Sequence, residues 1–134
     1  MPHLVILYTP NIELDTDMPA LCRTMADAML EQSDDAGKPV YPIGGTRVLA
    51  FPAAHYAVAD GKGDYAFVYL NVRMAAGRSE AVKKRIGDAL LEKVRQHFEP
   101  LLAKRHIGIT LQIDEAPGQV YDGKFGNLHP LFNK

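Results

Sequence analysis

Twice along this chain an amphipathic helical period lies between extended apolar runs, and that order restricts the fold more than any other feature. The first unit opens with Leu4-Val5-Ile6-Leu7-Tyr8. A run without polar alternation suits a strand covered on both faces, in a sheet whose neighbours include parallel strands. Met18, Leu21, Cys22, Met25 and Met29 then recur at helical spacing, with Asp17 placed to cap them and Pro19 in the first turn, where a missing N–H costs little. The period fades near Ser33, before Ala36-Gly37-Lys38-Pro39. Two extended runs follow in TRVLAFPAAHYAVADGKGDYAFVYLNVR. Asp60-Gly61-Lys62-Gly63 between them is a hairpin signal, and Pro52 marks the first run as an irregular or edge strand.

The second unit repeats the order. Ser79 is a good N-cap after Ala76-Gly77-Arg78, and Val82, Ile86, Leu90, Val94 and Phe98 form the apolar stripe of a long helix. Lys83, Lys84, Asp88, Glu92 and Arg95 fall on its outer side, and Pro100 is expected to end or kink it. Ile107, Ile109, Leu111 and Ile113 alternate with polar residues as a half-buried strand does. A helix that connects strands lying parallel is the β-α-β crossover. The expected fold is therefore α+β, with two tandem β-α-β units forming a four-stranded mixed sheet and both helices on one face. The chain of 134 residues fits a single domain, 1–134, with repeat 1 at about 1–59, repeat 2 at about 60–115 and a C-terminal extension at 116–134. Such a layer leaves strand edges open, which calls for a homo-oligomer.

Composition narrows the function. A formal net charge of -1 argues against a surface built to grip nucleic acid, although a few local arginines suffice for a small anion. Cys22 is the single cysteine, so there is no disulfide framework and a reducing cytoplasm is the default. No stretch approaches the ~20 apolar residues of a membrane helix, and no h-region of signal-peptide length follows Leu4–Tyr8. The chain reads as soluble and cytoplasmic. CxxC, HExxH, GxSxG and P-loop motifs are absent, and Gly44-Gly45 and Gly61-Lys62-Gly63 are too short to cradle a phosphate. His3, His55, His97, His106 and His129 lack metal-ligand spacing, so surface or packing roles are expected and no metal is called for. Phe125 in GKFGN resembles an RNA-binding aromatic only at chance level, without a basic face around it.

What remains is the N-terminal proline and several arginines. Pro2 follows the initiating methionine, and aminopeptidases remove Met1 before a small residue such as proline. Pro2 can simply start a strand, since it donates nothing to a ladder. Once processed, however, it carries a free secondary amine on a rigid ring. An α-amino group titrates at about 7.7–8, and apolar surroundings or nearby guanidinium groups lower that value. Pro2 then becomes a general base at cell pH. Arg47 lies at a strand entry after Gly44-Gly45, Arg73 ends the preceding strand of the second unit, and Arg78 immediately precedes a helix N-terminus that itself favours anions. The bland alternative for each is a solvated charge worth little.

MPHLVILYTPNIE, the GGTRV segment, DYAFVYLNVRMAAGRSEAVKKRIGDALLEKV and the closing HPLF together resemble the 5-carboxymethyl-2-hydroxymuconate isomerases, a branch of the tautomerase superfamily that uses an amino-terminal proline. The likeness covers nearly the whole chain; Leu49–Ala59 departs from it in lacking tryptophan. The resemblance implies a homotrimer, an active site near each Pro2, no cofactor and a small carboxylate-bearing substrate. It also implies ketonisation of a dienol in the degradation of homoprotocatechuate, an aromatic compound. By position, Pro2 would move the proton, while Arg47 and Arg78, with Arg73 as a further candidate, would hold substrate carboxylates and steady the dienolate. Two other readings stay open: a tautomerase of another enol or keto acid, and a non-catalytic ferredoxin-like binding module in which Pro2 and Arg78 are freely replaceable.

Overall fold

A computed structural model of the chain describes residues 3–116 and 118–132. Four strands and two long helices alternate: β1 His3–Tyr8, α1 Met18–Leu30, β2 Arg47–Pro52, β3 Ala66–Ala75, α2 Glu80–Leu102 and β4 Ile107–Ala116. The strands lie side by side in the order β2-β1-β3-β4. β1 runs parallel to β2 and β3 runs parallel to β4, each pair joined through one helix, while β1 and β3 meet antiparallel at the centre. This is the expected α+β layer.

Both helices start where the capping chemistry places them. The Asp17 carboxylate accepts from the Ala20 N–H at 2.9 Å, and the Ser79 hydroxyl accepts from the Val82 N–H at 3.2 Å. These contacts satisfy N–H groups that have no partner in the first turn. Each helix then buries its periodic stripe: Met18, Leu21, Met25 and Met29 from α1, and Val82, Ile86, Leu90, Val94 and Phe98 from α2. They pack on the face of the sheet that carries Leu4, Ile6, Val68, Leu70 and Val72, making one continuous core. Pro100 lies inside the last turn, and α2 ends two residues later, at Leu102. Its missing N–H and its ring disturb one turn only, so it ends the helix without bending the buried stripe.

Two sequence expectations need correction. β2 and β3 do not form a hairpin, because β1 lies between them and pairs with both. Asp60-Gly61-Lys62-Gly63 does turn, with Gly61 at φ 72° and the Asp60 side chain accepting from the Lys62 N–H, but it turns within a connection that passes from one side of β1 to the other. Local turn chemistry marks a reversal and says nothing of which strand is the partner. The first of the two extended runs also stops early, at Pro52 on the edge strand β2.

The second correction concerns β1. Its apolar run is covered on one face only: Leu4, Ile6 and Tyr8 are buried, while Leu7 is 45% exposed. Both helices occupy the same side, so the face carrying Leu7, Leu49, Phe51 and Phe67 has no layer of this chain over it.

Tyr8 and Tyr41 are buried, and burial pushes each phenol up to about 12, assisted at Tyr8 by its 2.6 Å hydrogen bond to Glu13. A phenol whose folded value lies above its unfolded value of ~10 stabilises the fold fully below pH ~10 and loses that contribution as pH rises toward 12. The thermal midpoint should therefore fall between about pH 10 and pH 12, and the fall should be shallower in a Tyr8→Phe/Tyr41→Phe double variant. An equally steep fall in that variant would assign the alkaline transition to other groups.

Candidate active site

Strand register builds the site at the end of the sheet where β1 begins. Pro2 lies outside the described residues; its covalent neighbour His3 is the first residue of β1. His3 pairs with Arg47 on one side and with Arg73 on the other. Successive side chains of a strand alternate between faces, so Arg47, His3 and Arg73 share one row on the face away from the helices. Two strand spacings set the arginine Cα atoms about 10 Å apart. Asp114 completes the row on β4, with its Oδ2 accepting from Asn71 Nδ2 at 2.8 Å.

The entry of Arg47 into its strand is shaped by Pro42 and two glycines. A 3₁₀ turn at Ile43–Gly45 is closed by Gly45 N–H donating to the Pro42 carbonyl at 3.1 Å and by the Thr46 hydroxyl donating to the same carbonyl at 2.8 Å. Both glycines are buried. The 3₁₀ turn His129–Leu131 of the C-terminal extension packs on this turn so closely that a Cβ on Gly44 would lie 2.5 Å from His129 Nδ1 and 3.0 Å from its Cα. Gly44 thus cradles no phosphate; it is the seat of the C-terminal extension.

Arg78 follows β3 and precedes α2. Its guanidinium donates through Nη1 to the Ala75 carbonyl at 3.3 Å and through Nη2 to the Val40 carbonyl at 3.2 Å. The next residue, Tyr41, is buried, and its hydroxyl has no hydrogen-bond partner among the described residues. The Arg78 charge acts on this phenol, opposing the upward push of burial. Arg78 is therefore tied to segment 40–47 at one end while Arg47 occupies the other, and α2 adds the partial positive charge of its N-terminus beside Arg78.

A cavity of about 690 Å³ opens at Arg47, with Pro42, Gly44 and Gly45 on one side and Lys124, Phe125 and His129 on the other. That size accommodates a small organic acid. Arg73 and Arg78 do not line it. Of the sequence-predicted residues, the register brings Arg47 and Arg73 to either side of His3, and Arg78 lies on the loop that leaves this same end of β3, outside the row. Lys124 and His129 also line the cavity; in the sequence they are only a basic residue and a histidine amid the turn residues of GKFGNLHP, with nothing local to say where they fold back. Cys22 is half-buried, and burial pushes its thiol up, which disfavours the nucleophilic thiolate. His97 contacts the Thr16 hydroxyl at 2.7 Å, and burial holds its imidazole low.

The register thus sets Arg47, His3 and Arg73 in one row at the start of β1. Comparisons with known proteins identify the family. A curated Escherichia coli 5-carboxymethyl-2-hydroxymuconate Delta-isomerase is 28% identical over 132 residues, 98% of this chain and 99% of its own length. A crystal structure of a 5-carboxymethyl-2-hydroxymuconate delta-isomerase is 55% identical, superposes with a TM-score of 0.95 and is covered over 94% of its length by all of this chain. A 5-carboxymethyl-2-hydroxymuconate isomerase from Deinococcus radiodurans R1 is 33% identical, with a TM-score of 0.83 over 99% of this chain and 95% of its own. A fused 4-OT, 20% identical, shares the fold with a TM-score of 0.57 over 96% of this chain and 95% of its own. The family model of the 5-carboxymethyl-2-hydroxymuconate isomerases matches residues 2–132, and the chain belongs to that family.

Proposed function

We propose that this protein ketonises 5-carboxymethyl-2-hydroxymuconate in the degradation of homoprotocatechuate, with the Pro2 nitrogen as the base once Met1 has been removed. In the reaction the 2-hydroxyl O–H bond breaks and a C–H bond forms at carbon 5, while the two C=C bonds become one C=C and one C=O. Atoms and charge balance without a cofactor. Pro2 takes the hydroxyl proton and returns it to carbon 5. Between those events the dienolate carries the charge, and fixed cationic donors stabilise it more than they stabilise the neutral dienol. Arg47 and Arg78 hold substrate carboxylates, each guanidinium offering paired donors, and Arg73 adds positive potential from the far side of His3.

The observation that carries this reading is the register: Arg47 and Arg73 both pair with His3, so two guanidinium groups flank the residue that follows Pro2. Their charge disfavours a protonated amine there. The test is an assay of dienol ketonisation by the native protein beside its intact mass. Turnover by protein that starts at Pro2 is expected; turnover at full rate by protein that retains Met1, whose proline nitrogen is a non-basic amide, would remove Pro2 as the base.

The working form we propose is a cytoplasmic homotrimer, each chain a single domain of two repeats with residues 116–134 as an extension. Among the described residues no helix is long and apolar enough to cross a membrane. The uncovered sheet face with Leu7, Leu49, Phe51 and Phe67 is the surface a second and third copy would bury. Light scattering should give the native mass of three chains, and a monomer at working concentration would reject the trimer.

A further inference from the structure

A tricarboxylate needs three points of attachment, and Arg47 and Arg78 supply two. We infer that the C-terminal extension supplies the third: Lys124 and His129 form the cavity wall opposite Arg47 and take the carboxylate of the carboxymethyl arm, making the extension the element that selects tricarboxylates over dicarboxylates. This rests on the isomerase reading above and names the part of the site that reading leaves open.

Three observations support it. Lys124, Phe125 and His129 line the same cavity as Arg47, so the extension and the strand entry enclose one space. The extension reaches that space through a specific seat, since the His129 ring packs on Gly44 at a distance that excludes any side chain there. The seat is reinforced within the turn by Leu131 N–H donating to the Leu128 carbonyl and Phe132 N–H donating to the His129 carbonyl, both at 3.1 Å. Finally, Phe125 lines the cavity beside the two polar side chains, an apolar surface suited to the hydrocarbon part of an organic acid.

Lys124 already has a partner, Asp122 Oδ2 at 2.7 Å. Both side chains are largely exposed, and an exposed pair of this kind holds its partner weakly. The ammonium has three N–H donors, so it can meet a substrate carboxylate without leaving Asp122. His129 presents its imidazole as a further donor from the adjacent turn. The substituents that Arg47 and Lys124 would hold belong to one molecule, and a dicarboxylate lacking the arm has nothing to offer the extension.

The experiment compares two dienols, one with and one without the carboxymethyl arm, and two non-reacting counterparts, carboxymethyl-hexanedioate and plain hexanedioate, whose binding is followed by calorimetry. In a Lys124→Ala/His129→Asn double variant, kcat/KM for the dienol with the arm should fall roughly 10- to 100-fold, mainly through KM, as expected for lost charged hydrogen bonds. The arm-less dienol should change less than about 2-fold, and calorimetry should show the same selective loss for the tricarboxylate. Gly44→Ala, whose Cβ would meet the His129 ring and push the seat apart while leaving both donor side chains in the sequence, should reproduce the selectivity change in weaker form. Equal losses on both ligands, or none on either, would overturn the assignment. Calorimetry decides this even if the wild type turns over neither dienol, an outcome that would reject the isomerase reading alone.

Discussion

Pro2→Ala, in protein with Met1 removed, should lower kcat for dienol ketonisation by roughly 10²–10⁴-fold, with a much smaller change in KM. The alanine retains an amine, so the expected loss measures more than the presence of a terminal nitrogen. The pyrrolidine ring locks rotation about the N–Cα bond, and β1 begins one residue later at His3, so the secondary amine needs little ordering to reach its substrate. An alanine nitrogen at the same place is a primary amine on a freer backbone bond. An unchanged kcat, in protein whose mass proves the start at residue 2, would take Pro2 out of the mechanism.

The second large effect belongs to the guanidinium groups. Arg47→Ala and Arg78→Ala should each reduce kcat/KM by about 10²–10³-fold, the scale on which removing one donor to a developing anion is felt. The two should divide the loss differently. Arg47 is at a cavity mouth, exposed on β2, and its removal should appear chiefly in KM. Arg78 is already braced by the carbonyls of Val40 and Ala75, so it is oriented before substrate arrives, and a preorganised donor acts most on the transition state. Its removal should appear chiefly in kcat. Arg78→Lys should recover little, because an ammonium cannot bridge two carbonyls and still present a planar pair of donors. If neither parameter moves in either alanine variant, the carboxylate clamp is wrong.

Much of the fold was legible because its signals are local. Asp17 and Ser79 cap the helices they precede, and the stripe from Val82 to Phe98 packs as its period predicts. The hairpin was misread for the complementary reason. Asp60–Gly63 carries true turn chemistry, yet strand pairing is decided by what else competes for the same edge, and β1 takes the place between β2 and β3. The apolar run of β1 reads correctly as a strand, but this chain covers only one of its two faces, because hydrophobicity records that a face will be buried without recording which layer does it.

The candidate site divides in the same way. Arg47, Arg73 and Arg78 were visible as cations at element boundaries, and Pro2 as an amine at the start of a strand. The pairing of Arg47 and Arg73 with His3 depends on the register of strands more than 20 residues apart in sequence, and that was not visible. Lys124 and His129 were passed over since nothing in GKFGNLHP says that it returns to Gly44. By itself, then, the order of residues determined the two β-α-β units, where the helices begin and the kind of chemistry available, because capping and periodicity act within a few residues. Only the tertiary structure decided which arginines flank the start of β1, which face of the sheet lies open and what the C-terminal extension closes over, because each of these is settled by contacts between segments far apart along the chain.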